Sequence, residues 1–282
     1  MKIIVFEIIF GIFLTILESW VASESTTTTP VSDKFLPDHP DLKESDKYSV
    51  PVAKGRQVQF ENITVYESAY KNDTQIMLIT IYDIFGFHPH VKFIADKLAD
   101  QGVFVVIPDL FHGNPVPLEN FPQPSFMERA QHLFSKNGSW VENKPDLLNV
   151  IKHYKTKYGI ARVGMFGFCW GGKIAVLAAS DEDFSDSLNA IGLVHPSRVT
   201  NEDAFDIRVP ALLLPSKSEP DMLPFLKTLN DNIKGNKSDH HRYDAMQHGF
   251  AGARSDFSDI EIRTNVENVI YRLSTFFKQV LA

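Results

Sequence analysis

The chain has 282 residues, is 44% hydrophobic and 12% aromatic, and carries a formal net charge of -7; it can bury a substantial core, and α/β folds of this length often form one main domain. The charge is spread along the sequence with no long basic run, which argues against a phosphate-tracking surface and against nucleic acid as a partner. The one cysteine, Cys169, leaves no internal disulfide to staple the fold, so stability must come from the core.

In chain order, "MKIIVFEIIFGIFLTILESWVASES" sets Lys2 before an apolar stretch from Ile3 to Leu17, followed by small residues near Val21-Ala22-Ser23. This layout reads as a signal peptide over residues 1–23, cleaved after Ser23. An uncleaved signal anchor competes, because Glu7 interrupts the run and Trp20 is bulky. The run is short for a bilayer-spanning helix, which favours cleavage and no stable membrane insertion afterwards. Residues 24–47 are rich in Thr, Asp and Pro without an apolar period and read as a flexible leader; the folded domain is expected over 48–282. Entry into the secretory pathway would expose four glycosylation sequons, at Asn62, Asn72, Asn137 and Asn236. The expected location is therefore outside the cell or in the secretory lumen.

From Tyr48 onward, short apolar runs alternate with helical patterns. The runs "QIMLITIYD" (75–83), "GVFVVIPDL" (102–110), "ARVGMFGF" (161–168), "NAIGLVHP" (189–196) and "PALLLPS" (210–216) read as strands buried on both faces. Between them, "VKFIADKLADQG", "KPDLLNVIKHYKTKYG" and "GGKIAVLAAS" read as helices, the first two ended by Gly102 and Gly159. A further strand is expected at 240–245, and the last segment has the spacing of a core-facing terminal helix. The alternation predicts an α/β fold with a mostly parallel central sheet flanked by helices on both faces.

"GFCWG" (167–171) has the Gly-x-nucleophile-x-Gly spacing of a nucleophile elbow, and it falls between an expected strand and an expected helix. Glycines at 167 and 171 allow the close strand–helix approach of a strained turn, and the thiol then lies at a helix N-terminus that favours a thiolate. The Trp170 N–H would face a developing oxyanion. A buried structural cysteine is the blander reading, but the spacing and context favour a nucleophile. Such a thiol needs a base and an orienting carboxylate, which in α/β-hydrolases follow in the order nucleophile, acid, histidine. His248, beyond the last strand, fits the base. Glu219 or Asp221, after "PALLLP", fits the acid, with Glu219 ranked first. His88 with His90, and His240 with His241, lack the companions of a recognised zinc spacing, so no metal and no cofactor are expected.

"IYDIFGF", "LADQGVFVVIPDLFHG", "GMFGFCWGGK" and "HGFAG", in this order, resemble the dienelactone hydrolase family, and "LVHPSRV" resembles its eukaryotic members. The resemblance covers the chain from Tyr48 to the end. It implies an α/β-hydrolase fold, a Cys-His-Asp triad, and an oxyanion hole from the backbone N–H groups of Trp170 and Ile84. It also implies that Asp83, where the family commonly has Glu, is the carboxylate controlling the resting thiol. Bacterial members hold a substrate carboxylate with arginines; this chain has His112-Gly113 at the first such place, and Arg254 is offset from the second. The implied activity is therefore hydrolysis of small esters, lactones or thioesters through an acyl-enzyme, with dienelactone itself disfavoured. Residues 114–140 are expected to cap the pocket. The competing classes are a binding protein that kept the fold without turnover and, less favoured for want of a resolving cysteine, a redox sensor. A monomer or weak oligomer is expected.

Overall fold

The computed structural model describes residues 52–70, 74–121, 123 and 125–282. The segments expected as signal peptide and leader, and Asn72, lie outside the described residues.

Eight strands form one sheet in the order β1-β2-β4-β3-β5-β6-β7-β8. β3 (Ile76–Ile81), β4 (Phe104–Pro108), β5 (Arg162–Phe168), β6 (Ala190–Val194), β7 (Ala211–Leu214) and β8 (Asp239–His240) run parallel. β4, β6 and β7 are buried at every position, as strands covered on both faces must be. At one edge, β1 (Arg56–Phe60) and β2 (Ile63–Glu67) form an antiparallel hairpin, and β2 joins β4 antiparallel. The expected strand at 240–245 is shorter. Beyond His240, pairing persists only as an isolated bridge between Ser216 and Tyr243, since Pro215 has no N–H to return to the ladder.

α1 (Pro89–Asp100) and α6 (Ile260–Leu281) pack together and cover the sheet with α6 on β5, β6 and β7; α3 (Trp140–Tyr158) and α4 (Trp170–Ser180) pack as a second pair, with α4 on β3, β5 and β6. α6 buries Val266, Val269, Ile270, Leu273, Phe276 and Phe277, the stripe read from the sequence. α3 closes on Gly159 at φ 67°, a left-handed cap that suits glycine. Two helices were not read from the sequence, α2 (Ser125–Ser135) and α5 (Leu223–Asn232); they bury only Phe126, Ala130 and Leu133, and Phe225 and Leu229. Among the described residues no helix is long and apolar enough to cross a membrane.

The order β4-β3-β5 fixes where chemistry is favoured. β3 is followed by a strand on one side and then by β5 on its other side, so the connections leave in opposite directions and open a crevice at the carboxyl ends of β3 and β5.

Candidate active site

Cys169 stands in that crevice, one residue beyond β5 and directly before α4, with φ 53° and ψ -115°. This is costly backbone for a residue with a Cβ, and it persists only because the surroundings enforce it. A Cβ on Gly167 would run into the backbone of Gly171, and one on Gly171 would run into the Ile81 carbonyl, so both glycines are required by close approach. The Cys169 N–H donates to the Val194 carbonyl at 3.1 Å, which ties the elbow to the end of β6.

His248 and Glu219 reach the thiol from the loops beyond β8 and β7. His248 Nδ1 lies 2.6 Å from Glu219 Oε1, and the ring lies near enough to Cys169 for the sulfur to act on its charge. Burial alone would strip the proton from His248. The Cys169 sulfur and the Glu219 carboxylate outweigh it and push the imidazole up to about 10. Glu219 is buried, and its Oε2 accepts the Ser216 N–H, so both oxygens are directed. Asp221, the other acid left open by the sequence, is exposed and accepts the Leu223 N–H at 3.0 Å; the structure brings Glu219 to His248 and leaves Asp221 outside.

The Trp170 and Ile84 amides follow β5 and β3 on either side of the crevice, and neither donates to an acceptor among the described residues. Asp83 is fixed by two backbone donors. Its Oδ1 accepts the Phe85 N–H at 3.0 Å and its Oδ2 accepts the Ala253 N–H at 2.8 Å, so this short carboxylate fastens the His248 loop to the end of β3. Burial raises its proton affinity against the opposing pull of these two donors. The Cys169 sulfur has the Ser197 hydroxyl at 3.5 Å.

At the place of the first bacterial arginine, His112 turns away, with Nε2 2.9 Å from Asp146 on α3. Arg254 does lie beside the site. Its guanidinium donates to the His248 carbonyl and stacks 4.6 Å from the Phe121 ring centre. Phe85, Phe121 and Phe126 form an aromatic cluster there, and the Val116 N–H donates to the Ile84 carbonyl, so the segment after β4 borders the crevice. A groove of about 690 Å³ on that segment, lined by Pro115, Arg129 and His132 among others, includes none of Cys169, His248 and Glu219.

Sequence reasoning missed the supports. Arg242 donates to the carbonyls of Lys217, Glu219 and Pro220 and clamps the acid loop; Ser218 Oγ accepts the His248 N–H at 3.2 Å. Neither belongs to a motif. His90 packs on Phe257 and His241 on Tyr243, and among the described residues no cluster of three or more His, Cys, Asp or Glu could hold a metal. Asn62 is exposed in the β1–β2 turn, whereas Asn137 Nδ2 donates to the Phe111 carbonyl and Asn236 Nδ2 to Asn230.

The model of the dienelactone hydrolase family matches residues 64–281. An uncharacterized AIM2 family protein of Schizosaccharomyces pombe is 31% identical over 236 residues, 81% of this chain and 92% of the relative. A carboxymethylenebutenolidase homolog of Homo sapiens is 28% identical over 162 residues, 57% of this chain and 62% of the relative. Among solved structures, dienelactone hydrolase from Anabaena variabilis superposes with a TM-score of 0.54 at 15% identity, covering 83% of this chain and 100% of that one, a likeness of fold.

Proposed function

The chain belongs to the dienelactone hydrolase family and is a hydrolase acting on ester bonds, and on that premise we propose that it cleaves small esters, lactones or thioesters with Cys169, His248 and Glu219 as its triad. The observation that carries this reading is the 2.6 Å contact of His248 Nδ1 with buried Glu219, made close to the strained elbow cysteine.

His248, whose imidazole is raised to about 10 beside Glu219 and the sulfur, takes the Cys169 proton as the sulfur attacks. The sulfur attacks the acyl carbon, and the carbonyl oxygen becomes an oxyanion held by the Trp170 and Ile84 N–H groups. His248 gives its proton to the leaving oxygen or sulfur as the tetrahedral centre collapses to a thioester. Neutral His248 then takes a proton from water, whose oxygen attacks the thioester; collapse expels the Cys169 thiolate and restores the imidazolium. Glu219 keeps the proton on Nδ1 and supports the charge of the ring throughout.

The chain works outside the cell or in the secretory lumen, a reading supported by its apolar first residues and by a sequon at exposed Asn62. The test of the chemistry is hydrolysis of activated esters, thioesters and lactones by the reduced protein beside Cys169→Ala. Loss of turnover in the variant is the expected result. Equal rates in both would overturn the mechanism and favour a binding protein on this fold.

A further inference from the structure

The turn after β6 is held in an unusual shape. His195 has φ 36° and Arg198 φ 61°, so two residues with side chains adopt left-handed backbone within four positions. Such strain survives where the surroundings over-determine it, and here they do. The Ser197 N–H donates to the Cys169 carbonyl at 3.0 Å. Pro196 packs so closely on α4 that a Cβ on Gly172 would lie 2.8 Å from its ring. The Arg198 guanidinium stacks 4.7 Å from Phe134 on α2. The turn is thus bonded to the elbow itself, and its result is one polar side chain, the half-buried Ser197 hydroxyl, 3.5 Å from the Cys169 sulfur.

We infer that Ser197 is a catalytic residue that hydrogen-bonds the nucleophilic sulfur. The inference rests on the reading of Cys169 as nucleophile and extends it. A hydroxyl has one donor and two acceptor sites and rotates freely, so it suits both states of the sulfur. While the thiol carries its proton, Sγ–H donates to Oγ. Once that proton moves to His248, the Ser197 O–H turns and donates to the sulfur, favouring the thiolate. A carboxylate could only accept, and it would oppose the negative charge of the sulfur. The two Asp83 oxygens instead accept the Phe85 and Ala253 N–H groups.

Because Cys169 is the only cysteine in the chain, its alkylation by iodoacetamide reports on this sulfur alone and needs no substrate. In the intact protein, Ser197→Ala is expected to slow alkylation at pH 7 by about tenfold, the scale of one hydrogen bond to a charged group, and to move the alkylation profile to higher pH. Ser197→Thr, which keeps the hydroxyl, is expected to restore both to near the wild-type values. For ester turnover, kcat falls with alkylation in Ser197→Ala while KM is unchanged. An alkylation profile for Ser197→Ala that matches wild type overturns the proposal, and so does a loss that Thr does not restore. Cys169→Ala, assayed alongside, separates the two readings: if it retains turnover the nucleophile assignment fails, whatever the alkylation of Ser197→Ala shows about the sulfur's neighbour.

Discussion

Replacing His195 by Phe should make the protein less sensitive to acid. His195 is fully buried beneath the active-site base, with its ring centre 5.2 Å from that of His248, 5.6 Å from Phe250 and 5.8 Å from Phe168. Neither of its ring nitrogens has a hydrogen-bond partner among the described residues, and burial drives its proton affinity well below the ordinary histidine value. The folded chain therefore refuses a proton that the unfolded chain accepts below about pH 6.5, so stability falls as pH drops through that value. For a ring that stays neutral when folded, the loss between pH 7 and pH 5 is about 2 kcal/mol, or about 4–8 °C in melting temperature for a domain of this size. Phe cannot be protonated, and His195→Phe should lose that much less. The larger ring and the left-handed backbone at 195 add penalties of their own, but these are the same at both pH values and cancel in the comparison. His248, whose proton affinity is raised in the fold, gains some stability over the same range, but it does so in both proteins and cancels in the comparison. Urea unfolding of both proteins at pH 7 and pH 5 measures it; parallel losses in wild type and variant would refute the reasoning.

Glu219→Gln is expected to reduce kcat/KM by at least about a hundredfold, as truncating one partner of a buried charged pair does, while Asp221→Asn stays within about twofold of wild type because its Leu223 contact survives. The pH profile gives a second reading. Activity that depends on protonated His248 should decline as pH approaches about 10, and Glu219→Gln should bring that decline to lower pH, because the lost carboxylate is one of the groups raising the imidazole. The reverse ranking of the two variants would transfer the acid's role to Asp221. On protein recovered from a secretory host, Asn62→Gln should lose one glycan by intact mass, and a mass differing from wild type only by the substitution would count against this site.

Much of the sheet was legible because its strands are buried on both faces. β3 to β7 are near-continuous apolar runs, and only buried parallel strands combine that pattern with intervening helices. β1 escaped because it is the edge strand, where "RQVQF" alternates polar and apolar residues over a short span and buries little, and β2 escaped because its five residues, "ITVYE", include Thr and Glu rather than forming an apolar run. α2 and α5 escaped for a related reason, since each commits two or three side chains to the core. At the candidate site, spacing and order singled out Cys169 and His248, which the fold brings near one another. The choice of Glu219 over Asp221 was not legible, because both lie in one loop and the decision rests on Arg242, some twenty residues later, pulling the carbonyls of Lys217, Glu219 and Pro220 to itself. Nor was the turn of Asp83 toward Ala253, a contact between residues 170 positions apart.

These long-range contacts divide the work of holding the base. The His248 N–H is bonded to Ser218, its carbonyl receives Arg254, and five residues on, the Ala253 N–H is bonded to Asp83. Three different parts of the chain, the acid loop, the residues after His248 and the end of β3, therefore fix the backbone of one loop. The ring itself is held on Nδ1 by Glu219 and packs edge-on against His195. If His248 is the base of the proposed mechanism, a fixed pivot is what passing one proton from sulfur to leaving group and taking another from water requires. That arrangement also accounts for the left-handed backbone beneath it. Placing His195 and Ser197 at the end of β6 puts a neutral ring under the base and a hydroxyl beside the nucleophile within one short turn, and the strain at Cys169, His195 and Arg198 is concentrated where those three side-chain positions have to be met together.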